Sequence, residues 1–187
     1  MFKHWNLRNI ILIALIAIIC GVISWGSGYL YNGLVLILTP FGLKPFANEA
    51  LLGLWIISGP LAAEIFRSPG AAFFGEILTA VVEMFLGDQW GVMDLVAGAV
   101  QGLGTEAGFA LTFYRHYDWL GLSVAALTGT IITFGYDLLG LWYDQYSLPL
   151  LVGLFITRLG SLLLISSWLP SAIVKILNRS QTLQSIR

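Results

Sequence analysis

Long apolar runs, each closed by a short polar knot, divide the chain into six stretches of membrane-crossing length. They cover about 9–30, 49–66, 71–86, 92–114, 119–142 and 148–173, each near the roughly 20 residues that a helix needs to cross a bilayer. The knots are Arg67-Ser68-Pro69-Gly70, Gly87-Asp88-Gln89-Trp90-Gly91, Arg115-His116-Tyr117-Asp118 and Tyr143-Asp144-Gln145-Tyr146-Ser147. Between the first two runs, Pro40, Gly42 and Pro45 interrupt the pattern, and 31–48 is expected to be a loop or interfacial segment. The pattern predicts an all-α integral membrane protein, a single domain of six transmembrane helices over 1–187. The apolar run behind Met1-Phe2-Lys3-His4 is too long for a signal-peptide core and shows no cleavage site, so a retained first helix is expected.

Composition agrees with the pattern. Of the 187 residues, 58% are hydrophobic and 10% charged, with mean hydropathy +0.86, whereas soluble domains carry about 25% charged residues. Six spans leave no length for a soluble domain. A net charge of -1 offers no nucleic-acid surface. Cys20 is the single cysteine, which excludes an intramolecular disulfide or a cysteine-based metal site. With six spans, Lys3, Arg8, Arg67, Arg115, Lys175, Arg179 and Arg187 share one face, Lys44 falls on the other, and Arg158 lies within a span. The positive-inside rule then puts both termini in the cytoplasm of a multi-pass protein of the cell membrane. The chain has no phosphate-binding G-x-x-x-x-G-K-[ST] loop, no H-E-x-x-H and no G-x-S-x-G, and no internal two-fold repeat. An enzyme is not expected, nor is a metal or any other cofactor held by this chain.

The charges that remain inside the spans carry the chemistry. Glu76, Glu83, Glu106, Asp137 and Arg158 all fall within apolar runs. Each such charge costs roughly 2.5–3.5 kcal/mol on insertion scales, and such residues face a bundle interior, a cavity or a partner. Glu76, Ala80 and Glu83 share one helical stripe. Gly98, Gln101, Gly102 and Thr105 form a small, polar face beside Glu106, while Gly98-x-x-x-Gly102 and Gly104-x-x-x-Gly108 permit close helix packing. Internal pairing of Arg158 with Asp137, Glu83 or Glu76 accounts for part of this charge, but four acids face one base. At the outer face, Trp25, Tyr29, Tyr31, Glu49, Asp88, Gln89, Trp90, Trp142, Tyr143, Asp144 and Tyr146 describe either an interfacial aromatic belt or a pocket for a flat, amino-bearing ligand. On the first span, Ala14, Ala17 and Gly21 make a stripe of small residues fit for helix packing within the chain or against a partner subunit.

Several blocks together resemble the YkoE family: Leu54-Trp55, Gly59-Pro60-Leu61-Ala62-Ala63, Arg67, Pro69-Gly70-Ala71-Ala72, Glu76, Gln89-Trp90-Gly91 and Gln101-Gly102-x-Gly104-x-Glu106. These are substrate-binding S components of energy-coupling factor (ECF) ABC transporters, tied to thiamine and its precursor hydroxymethylpyrimidine (HMP). The resemblance spans essentially the whole chain. It implies capture of a vitamin or precursor near the outer face, and work with a transmembrane coupling subunit and two cytoplasmic ATPases that use ATP and Mg. It also implies a coupling stripe on the first helix, to which Ala14, Ala17 and Gly21 correspond with altered spacing. Helical phase and depth give the expected contacts. Glu83 accepts hydrogen bonds from an exocyclic amine, Gln89, Gln101, Asp137 and Glu49 add polar contacts, Trp90 and Trp142 stack, Arg158 holds the acids, and 31–48 closes over the ligand. Two other functions fit the same residues: a proton-coupled carrier with Glu76, Glu106 and Asp137 as relay, and an assembly subunit whose charges only lock helices.

Overall fold

In a computed structural model, which describes residues 5–140, 143 and 145–179, the chain is helical, with no strand among those residues. Helix α1 runs over Leu7–Leu38, with Asn6 at its N-cap accepting the Asn9 N–H at 2.8 Å. It passes the expected end of the first span by two turns. A short 3₁₀ turn, Thr39–Phe41, and Gly42 at φ 71° then reverse the chain directly into α2, Pro45–Trp55. The expected loop over 31–48 is therefore mostly helix. Pro40 and Pro45 sit in first-turn positions, where a missing N–H costs nothing, so the residues that look like breakers act as starters.

The second span is also two helices, α2 and α3 (Ser58–Phe66), parted at Ile56-Ile57. Pro60 explains the break: it has no N–H to offer the Ile56 carbonyl, which accepts the Ser166 hydroxyl at 2.7 Å instead. Helices α4 (Ala71–Phe85), α5 (Met93–Leu111) and α6 (Trp119–Leu139) follow. The last unit is continuous but not uniform: α7 (Leu148–Ser161) passes through wider π turns over Leu162–Trp168 into α8 (Leu169–Arg179). Serines fix this segment to its neighbours. Ser161 Oγ donates to the Ala50 carbonyl (2.7 Å) and accepts the Gly53 N–H (3.0 Å), and Ser167 Oγ donates to the Leu122 carbonyl (3.1 Å).

Among the described residues, four helical units are long and apolar enough to cross a membrane: Leu7–Phe41, Pro45–Phe66, Trp119–Leu139 and Leu148–Arg179. Helices α4 and α5, of 15 and 19 residues, pack among them. Helix α5 is pressed against α4 on one side and α6 on the other. A Cβ at Gly108 would stand 2.3 Å from the Ala125 Cα, so only glycine permits that approach. One turn earlier, the Thr128 hydroxyl donates to the Gly104 carbonyl at 2.8 Å.

The end of the bundle that carries the 66–71 and 111–119 turns is filled with apolar side chains, among them Ile13, Ile57, Leu61, Phe66, Phe109 and Leu122. The opposite end is hollow.

Candidate functional site

The hollow is a cavity of about 420 Å³ bounded by α1, α2, α4, α5, α6 and α7. That volume lies within the range of about 300–1,000 Å³ typical of small-ligand sites. Three sorts of side chain line it. Tyr31 of α1, Trp55 of α2 and Trp90 of the α4–α5 connection form one aromatic wall, with ring centroids 5.4–5.8 Å apart in pairs. The indole N–H of Trp55 donates to Ser27 Oγ at 2.7 Å, which fixes the orientation of that ring. The acids Glu76, Glu83, Asp94 and Asp137 also line the cavity, as do Gln101, Thr133, Tyr136 and the cations Lys44 and Arg158.

Arg158 is fully buried, and the reason it survives there is geometric. Its Nε reaches Glu49 Oε2 at 2.5 Å and its Nη2 reaches Glu49 Oε1 at 2.7 Å, a bidentate pair; Nη2 also meets Asp137 Oδ2 at 2.5 Å. Its Nη1 donates to Thr133 Oγ1 at 3.1 Å, and the guanidinium lies 5.1 Å from the Phe134 ring centroid. The Tyr143 hydroxyl donates to Glu49 and accepts from Arg158. Every charge in the group has a partner, as burial demands. The network ties α2, α6 and α7 together at the cavity wall. Arg158 does pair with Asp137, as one expected arrangement had it, but its principal partner is Glu49 rather than Glu83 or Glu76.

Two other acids have backbone partners. Glu106 of α5 accepts N–H groups at the start of α4: Gly70 at 2.6 Å, Ala72 at 3.1 Å and Phe73 at 3.3 Å. It caps a neighbouring helix, where a carboxylate also meets the positive end of the helix dipole. Glu76 does the same for α3, accepting the Gly59 N–H at 2.5 Å, and it is buried while still touching the cavity. A relay through Glu76, Glu106 and Asp137 thus has each member already bonded within the fold.

The structure gathers Glu83, Trp90, Gln101, Asp137 and Arg158 at one cavity. Glu49 stands behind Arg158, fully buried, and is not among the lining residues. Gln89 lines a separate recess of about 140 Å³ with Trp25, Tyr29, Asn32 and Asp88. Trp142, like Asp144, falls outside the described residues. The stripe on α1 turns inward: Ala17 is buried, Ala14 is half-buried, and a Cβ at Gly21 would stand 2.7 Å from Val82 of α4. Ala17 and Gly21 thus pack within the chain, the first of the two roles expected of this stripe. Sequence reasoning passed over Lys44, Asp94 and Tyr136 as lining residues, because nothing in one-dimensional spacing brings residues 44, 94 and 136 together.

A helical membrane bundle with a ligand-sized cavity of aromatic and acidic side chains has the architecture that a small-molecule transport component needs. The comparisons place it more closely. A family model described as "ABC-type cobalt transport system, permease component" matches residues 8–132. YkoE of Bacillus subtilis (strain 168), described as an HMP/thiamine permease protein, is 34% identical over 177 residues, covering 91% of this chain and 83% of the relative. A crystal structure of an S-component of an ECF transporter superposes with a TM-score of 0.86 at 32% identity, over 97% of this chain and 90% of that one. The chain belongs to the YkoE family of ECF transporter S components.

Proposed function

We propose that the chain is the substrate-capture component of an ECF-type importer and binds HMP or thiamine in the cavity near the outer face. It hands the ligand on with a transmembrane coupling subunit and two cytoplasmic ATPases, which supply the ATP and Mg chemistry that this chain has no loop to perform. The six-span arrangement with cytoplasmic termini goes with this proposal. It directs the Arg67 and Arg115 turns inward and opens the cavity outward.

The observation that carries the substrate is the surplus of acid beside aromatic rings. Among the described residues four acids line the cavity against two cations, and one of those cations, Arg158, is already paired. Such a wall suits an amino-bearing, flat heterocycle, whose ring stacks on Tyr31, Trp55 and Trp90 while its amine donates to a carboxylate. Glu83 is the acceptor in this proposal, with Gln101 and Asp137 beside it. Among the described residues the lining has neither His nor Cys, the softer ligands that transition metals favour, so the cavity supports an organic ligand over the cobalt in the family model's description.

Uptake of labelled thiamine or HMP by cells that express the chain with and without an ECF coupling and ATPase module tests the proposal. Accumulation that requires the module is expected. Accumulation that persists without any ATPase and collapses with the proton gradient would instead establish a proton-coupled carrier.

A further inference from the structure

Asp94 is a cavity acid with a buried oxygen that the fold leaves unpaired. It sits in the first turn of α5 at 7% exposure, and its Oδ2 is buried without a hydrogen-bond partner. Glu49 and Asp137 have Arg158, and Glu76 has the Gly59 N–H. A buried carboxylate oxygen left unpaired is costly, and native structures keep such groups where a ligand or ion completes them. Asp94 lines the same cavity as Glu83. Trp90 lies four residues before it and belongs to the aromatic wall with Tyr31 and Trp55. Rings beside uncompensated carboxylates form an arrangement that stabilises a positive charge through both ring quadrupoles and Coulomb attraction.

We infer that Asp94 is the counter-charge for a cationic ring in the ligand, and that it sets the preference of the cavity for heteroaromatic cations over neutral aminopyrimidines of the same shape. The inference rests on the capture function proposed above and adds the charge class of the ligand and the residue that reads it. Thiamine and HMP make the comparison direct, since they share the aminopyrimidine and only thiamine carries a fixed positive charge on a second ring.

Calorimetric titration of the purified full chain with each compound tests it. Asp94→Asn is expected to weaken thiamine binding tenfold or more and to change HMP binding less than threefold, while Asp94→Glu keeps the preference for thiamine. Equal weakening of both compounds, together with a lowered Tm, would mean that Asp94 only supports the start of α5 and would overturn the inference. Unchanged thiamine affinity would overturn it as well. Competition against the wild-type chain needs no variant: an N-methylthiazolium salt is expected to displace thiamine where the neutral thiazole does not. Equal displacement by both fragments would contradict a charge-reading site. Failure of wild-type protein to bind either thiamine or HMP would sink the capture function itself, an outcome distinct from loss of discrimination.

Discussion

Arg158 shows how a single buried charge organises its surroundings. The residue was visible in the sequence as a lone cation inside an apolar run, and the need for an acid partner followed from the cost of burial. Which acid it would be was not visible. Glu49 lies 109 positions away and enters the network only because α2 starts at Pro45 rather than after a long loop. The chemistry of the pair yields a prediction. Glu49→Gln or Arg158→Met alone strands a buried charge and is expected to cost about 3–5 kcal/mol, read as a lowered Tm in detergent. The double variant should lose less than the sum of the two, because the buried Glu49–Arg158 pair is removed whole and only the partly exposed Asp137 is left without its cation. Strict additivity would show that the pair does not act as a unit. At the cavity, Glu83→Gln is expected to weaken ligand binding at least tenfold with little change in Tm, since the carboxamide loses the negative charge and keeps only one acceptor oxygen for the amine. Unchanged affinity in both Glu83→Gln and Asp137→Asn would mean that the ligand binds elsewhere.

At the scale of elements, the apolar runs foretold most of the helices, and the errors have identifiable causes. Pro60 was the one residue able to split the second span, yet its effect depends on Ser166 from another helix accepting the role of partner to Ile56. The π turns over Leu162–Trp168 leave no mark in a run of leucines, isoleucine and serines, because they answer to the end of α2 and to α6 rather than to local propensity. The glycines of α5 were legible as packing sites, since close approach has few other sequence signatures. Gly108→Leu is expected to force α5 from α6 at a cost of about 1–3 kcal/mol or more, seen as a lower Tm and poorer recovery of monodisperse protein. Glu106→Ala is expected to uncap α4 and to cost about 0.5–2 kcal/mol, the scale of a lost N-cap. A Tm unchanged by Glu106→Ala would mean that water satisfies those N–H groups equally well.

The whole molecule is a bundle packed solid at one end and hollow at the other, and the function follows from which end faces outward. In the proposed topology, the basic residues at the 66–71 and 111–119 turns put the solid end at the cytoplasmic face. Cys20, the single native cysteine, is buried and gives a quiet background for labelling. With a membrane-impermeant maleimide, Gln89→Cys is expected to react in intact cells and His116→Cys only after permeabilisation. The reverse pattern would invert the protein. The cavity was half legible beforehand: Glu83, Trp90, Gln101, Asp137 and Arg158 could be named from depth and helical phase, whereas Lys44, Asp94 and Tyr136 needed three-dimensional closure.

Binding in this cavity is the claim on which the rest depends, and its aromatic wall supplies a reporter. Among the described residues the tryptophans Trp55 and Trp90 line the cavity, so a stacked ligand must change their emission. Titration of the purified chain with HMP and with thiamine is expected to give saturable quenching at sub-micromolar ligand, diminished in Trp90→Phe. Flat emission with both compounds, and no heat of binding in a parallel calorimetric titration, would contradict the account and leave the cavity acids with structural duties alone.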